Sequence, residues 1–184
     1  MGRASRIDDQ AVFAAVARAM ASGRFRLETV MAEGGLSTGS LYHRFGSREG
    51  LLAAAWIDAV TAFQAGFLGA LKTEGGEAAA LATPRFCRAE PDKALILTVC
   101  RRADFLGEAT PADLNVRAET INAEAASALR SYAKEAGLSM PRARAAIVGV
   151  PLGIVRLYLP AAAVPRSADA LVRDAYRGII TQTD

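Results

Sequence analysis

The chain has 184 residues, is 52% hydrophobic and carries a formal charge of +3, a size and composition that suit one or two small domains with a real core. A pI of about 9.1 is too mild a basic excess to identify a nucleic-acid partner by itself. Two cysteines, Cys87 and Cys100, stand in apolar surroundings; neither their number nor their spacing suggests a disulfide framework or a zinc site, and they read as buried free thiols.

Abundant alanine and scarce β-branched runs predict an all-α fold of about nine helices. Residues Met1 to Arg6 read as a loose basic arm. Asp8 caps a first helix running to about Ala21, with Ile7 and Val12 at staple spacing and Val12, Phe13, Val16 and Met20 as its apolar stripe. Gly23 ends it. A short second helix covers Leu27 to Glu33, with Leu27 and Val30 or Met31 inward, and Gly34-Gly35 provides a sharp turn. Ser37 then caps a third helix; Leu36 and Leu41 have staple spacing, and Leu41 and Phe45 share the buried face.

The other face of this third helix holds Thr38, Gly39, Ser40, Tyr42, His43 and Arg44, short hydroxyls first and longer donors after. Such a face suits a polyanion and base edges without a deep pocket. Thr38 and Ser40 are the base-edge candidates, with first-turn capping as their other reading. Gly39 lets a duplex approach the backbone. Tyr42 and His43 are placed to donate to phosphate, and Arg44 to reach a guanine or a phosphate. Arg48, at the next helix N-terminus, is a phosphate clamp beside backbone N–H groups. Helix, glycine turn and capped polar helix form the helix-turn-helix pattern.

Ser47 starts a fourth helix whose Leu51, Leu52, Trp56, Val60, Phe63, Phe67 and Leu71 run at near-helical spacing to Lys72, connecting the first fifty residues mechanically to the rest. Thr73-Glu74-Gly75-Gly76 is a break. Glu77 to about Ala89 reads as a helix interrupted near Pro84. Asp92 to Phe105 follows Pro91, with Ala94 to Cys100 apolar nearly all round, as in a central buried helix, strand being the competing reading. Thr110-Pro111-Ala112-Asp113 is a helix start with Thr110 as cap, and the helix runs to Ala136 before Gly137. Pro141 to Leu159 is a helix kinked at Pro151, and a last helix starts at Ser167.

From Asp8 to Leu52 the chain resembles the tetracycline-repressor-like (TetR) family of transcriptional regulators. The resemblance is carried by Leu36-Ser37, Gly39, Leu41-Tyr42, Phe45, Ser47, Glu49 and Leu51-Leu52, with Gly23 and Gly35 in agreement. Arg26 stands where the family usually has a capping Thr, and His43 lies one place earlier than the usual aromatic or His. The resemblance implies a DNA-binding domain over residues 1–50 and a helical regulatory and dimerisation domain over 51–184. It further implies a homodimer whose two heads enter successive major grooves of a palindromic operator, and a small-molecule effector that releases the DNA, most simply as a repressor. Dimer symmetry places the half-sites about one helical turn, or multiples, apart.

Candidate residues for the effector are Phe63, Phe86, Phe105 and Tyr132, which as aromatics suit an apolar cavity between helices and equally suit plain core. Gly149 and Gly153, four apart, allow another helix close. With Leu171, Ala175, Tyr176 and Ile179 of the last helix they are the candidate subunit interface. Gly35-Leu36-Ser37-Thr38-Gly39 formally matches a hydrolase nucleophile elbow, but it follows a helix, and the chain's one histidine, His43, sits on the same short helix, so no enzyme, metal or cofactor is expected. The remaining rival is a helical interaction module without DNA binding. No apolar run reaches the ~18 residues of a membrane span, and Met1 to Arg6 lacks a signal-peptide core, so a cytoplasmic location is expected.

Overall fold

Asp8 accepts a hydrogen bond from the backbone N–H of Gln10 at 3.0 Å and opens α1, Asp9–Ala21, in the computed structural model of the chain, which describes residues 8–181. Ile7 and the basic arm lie outside the described residues. α2 spans Leu27–Glu33 and buries Val30; α3 spans Thr38–Phe45 and buries Leu41. The two glycines between them have different jobs. Gly35 takes φ +65°, the left-handed turn, whereas a Cβ on Gly34 would meet Val12 Cγ2 at 2.8 Å, so Gly34 lets α2 end against α1.

Ser47 Oγ accepts from Gly50 N–H at 2.9 Å and starts α4, Arg48–Thr73, the longest helix described. α4 runs unbroken through two apolar clusters. The first gathers Val12, Val16, Val30, Leu41, Leu51 and Trp56 with Ile96, Phe105, Leu106 and Ala118 from farther along the chain. The second holds Phe67, Leu71, Leu81, Leu129, Ile147, Val172 and Tyr176. By length and composition α4 is the one described helix that would by itself reach across a membrane, and 56% of that stretch is buried inside the protein, as befits the spine of a bundle.

α5, Gly76–Ala89, is not interrupted at Pro84. The ring is fully buried, and packing against α4 carries the helix past the missing N–H. α6, Pro91–Thr98, stops seven residues short of the predicted end at Phe105. Thr98 Oγ1 turns back to the Ala94 carbonyl at 2.7 Å, Arg156 Nε takes the Thr98 carbonyl at 2.6 Å, and a 3₁₀ turn, Arg102–Asp104, follows. α6 is a helix, buried at Ala94, Ile96 and Thr98 and only half-buried at Leu95 and Leu97.

α7 spans Ala112–Glu135, but Thr110 is not its side-chain cap: its Oγ1 accepts from Gly107 N–H at 3.0 Å and closes the preceding loop instead. α8, Met140–Arg144, a π turn, Ala145–Gly149, and α9, Val150–Arg156, form one continuous rod. The predicted kink at Pro151 takes the form of that π turn, which widens the helix just before a residue that has no N–H to give. α10, Ala168–Thr181, closes the bundle against α5. Arg88 grips Asp169 through two 2.9 Å bonds, and Glu77 receives Arg173 at 3.1 Å and Arg177 at 2.8 Å. Counting the rod once, the described residues hold nine helices and no strand.

Candidate functional site

α3 is held at three places. Ser37 Oγ accepts from Ser40 N–H at 3.1 Å, Leu41 and Leu36 are buried beneath it, and the Phe45 ring lies 5.9 Å from that of Phe13 on α1. These contacts leave Thr38, Gly39, Tyr42 and His43 on the outer side, Tyr42 with 58% of its surface exposed. Ser40 is half-buried, and its hydroxyl lies 2.9 Å from Ser37 Oγ, which draws it into the cap. Arg44 pairs with Asp9 and so braces α3 against α1. Ser37, the formal nucleophile of the elbow match, is engaged as an N-cap.

Arg48 pairs with Glu49 at 3.2 Å and its guanidinium sits 4.8 Å above the Phe25 ring. A hydrogen bond from its own backbone N–H, and then Arg48, hold the Glu49 carboxyl below the usual carboxylate range. Phe25 is thus a platform that points Arg48 along the surface. Arg24 and Arg26 flank it, exposed and without an ion pair among the described residues. Arg26 caps α2 only through its backbone, so its side chain is not used there. The sequence reading singled out Arg48 but not Arg24, Arg26 or Phe25 as part of the site.

It missed Gly50 entirely. A Cβ there would stand 1.9 Å from the carbonyl oxygen of Phe45, so the start of α4 touches the end of α3 backbone to backbone. Gly39 is the converse case: a Cβ would meet nothing within 4 Å, and nothing inside the described chain requires glycine there.

The four aromatics proposed for the effector do not converge. Phe63 and Phe86 meet edge to face at 5.4 Å and line a cavity of about 230 Å³. Phe105 is only 2% exposed and belongs to the core beneath α1 to α4. Tyr132 lines a separate groove of about 420 Å³ with Leu68, Leu71 and Lys72, and its hydroxyl bonds that of Tyr176 at 2.7 Å. Burial, and then that bond, hold the Tyr176 hydroxyl protonated well above the ordinary phenol range. Cys87 also lines the cavity; burial pushes its thiol up to about 11, which leaves it protonated and unreactive at neutral pH.

Of the candidate interface residues, Gly149 and Gly153 on the α8–α9 rod and Leu171 on α10 are exposed, as is Met140. Ala175 and Ile179 are half-buried. Tyr176, by contrast, is 5% exposed and belongs to the chain's own interior, because the Tyr132 bond draws it inward.

A solved structure of a TetR family transcription regulator from Marinobacter aquaeolei VT8 is similar over 94% of this chain and 93% of that one, with a TM-score of 0.70 at 15% sequence identity. The likeness is one of fold: this chain has the all-α architecture of a TetR family regulator. No family model and no curated protein matches the sequence.

Proposed function

We propose that the chain is a sequence-specific DNA-binding transcription regulator rather than an enzyme, with residues 1–50 as the reading head and 51–184 as the regulatory part. The observation that carries this is the outer side of α3, where Thr38, Gly39, Tyr42 and His43 are exposed together beside Arg24, Arg26 and Arg48. A glycine within a helix costs up to about 1 kcal/mol relative to Ala. The open space around Gly39 lets a partner come close to the backbone there, which suits this reading.

In this reading Thr38 touches base edges, Ser40 supports the cap that presents it, and Tyr42, His43 and Arg48 hold phosphates, joined by Arg24 and Arg26. Arg44 sets the pitch of α3 through Asp9. A homodimer built on the outer side of the last two rods presents two such heads to a palindromic site, in the cytoplasm. A small molecule in the cavity at Phe63 and Phe86 weakens binding, which makes the protein a ligand-released repressor.

Selection of bound duplexes from a random pool tests the reading. The expected result is a two-fold symmetric site whose base preference changes at a defined position in each half when Thr38 is replaced by Val. Enrichment of no sequence would overturn sequence-specific binding, and an unaltered preference in Thr38→Val would remove Thr38 from base reading.

A further inference from the structure

The cavity at Phe63 and Phe86 opens between α4, α5, α6, α7 and the rod that begins with α8, and measures about 230 Å³. An apolar cavity of about 150 Å³ holds benzene, so this one has room for two fused rings. The edge-to-face pair of Phe63 and Phe86 offers a flat ring both a face and an edge. No Asp, Glu, Lys, Arg or His lines the cavity.

Its polar groups are few and neutral. Gln64 and Thr83 are each only 7% exposed, both line the cavity, and neither side chain makes a hydrogen bond among the described residues. Asn122 lines it as well, whereas the Thr98 hydroxyl is already bonded to the Ala94 carbonyl. A side-chain amide brought out of bulk water needs a partner for both its N–H and its C=O. Gln64 lines this open space, where a ligand can meet both groups.

Resting on the reading of this cavity as the effector site, we infer that its ligand is an uncharged, flat, largely apolar molecule with one carboxamide-like edge, and that Gln64 reads that edge. A primary or cyclic amide matches the Gln64 side chain donor to acceptor and acceptor to donor, with the Thr83 hydroxyl able to supply a further bond. A carboxylate of the same shape lacks the donor and finds no cation. It is therefore rejected.

Isothermal titration of the full chain with 2-naphthamide and, separately, 2-naphthoate at neutral pH tests this. The amide is expected to bind and the carboxylate to bind at least about a hundredfold more weakly. Gln64→Met, which keeps the bulk, is expected to weaken the amide about tenfold, and Thr83→Val is a second variant should the first fold poorly. Equal binding of amide and carboxylate, binding of neither, or wild-type affinity in both variants would overturn the inference. The titration contains no DNA, so the two claims fail separately. Duplex release by naphthoate and not by naphthamide would overturn the ligand class and keep the effector site. Amide binding that leaves duplex affinity unchanged would keep the ligand class and remove the effector role.

Discussion

Gly50 and Gly39 show how differently two glycines of one motif are used. Gly50 allows α4 to start in backbone contact with the end of α3, so a methyl group there forces the two helices apart. Gly50→Ala is expected to cost about 1–3 kcal/mol of stability, typical of overpacking, measured by denaturant midpoint, and to weaken duplex binding because α3 is repositioned. Gly39→Ala has room and gains helix propensity, so it is expected to raise stability while lowering duplex affinity. A Gly39→Ala protein that binds as tightly as wild type would mean that no duplex approaches that backbone. The capping roles of Asp8, Ser37 and Ser47 were legible in the sequence because a cap is a local event. Gly50, the Phe25 platform under Arg48 and the Arg44–Asp9 brace were not, since each depends on the distance between two elements that spacing along one helix does not contain.

Among the elements, α6 has its two ends in different places. Its C-terminal Leu97 and Thr98 line the cavity, while its N-terminal Asp92 and Lys93 reach α1 and α4. Arg18 of α1 bonds Asp92 at 3.2 Å and Glu33 of α2 at 3.4 Å. Lys93 lies 3.2 Å from Asp58 of α4, whose other oxygen accepts from Gln10 of α1 at 3.0 Å. α6 thus links the cavity lining to α1. Asp58 and Lys93 are each no more than a quarter exposed, so their pairing exceeds that of a fully solvated bridge. A double-mutant cycle with Asp58→Asn and Lys93→Gln is expected to give a coupling of about 1–2 kcal/mol in thermal unfolding; a value near zero would mean that α6 is held by its apolar side alone. Element identity was largely readable from caps and period. The missed details, α5 passing through Pro84, α6 ending at Thr98 and the π turn before Pro151, are all places where tertiary contacts decide what the backbone does with an unfavourable residue.

Taken whole, the molecule has no clean seam at residue 50. The cluster beneath α1 to α4 already includes Ile96, Phe105, Leu106 and Ala118, so the segments before and after residue 50 share a core. That sharing was invisible in the sequence, where Phe105 looked as good a cavity aromatic as Phe63. Met140, Gly149, Gly153 and Leu171 are exposed, and in the proposed dimer a second copy covers them. Leu171→Glu is expected to leave the fold intact and shift sedimentation equilibrium toward monomer, with weaker binding to a two-half-site duplex; an unchanged assembly state would place the interface elsewhere.

The central claim is that the outer side of α3 and the arginines beside it are what meet a duplex. Hydrogen–deuterium exchange of the full chain, with and without a duplex enriched by selection, locates that contact directly. The expected result is strong new protection within residues 24–50, centred on α3 and the first turn of α4. Protection confined to the last two rods, or none on α3 at saturating duplex, would contradict the account.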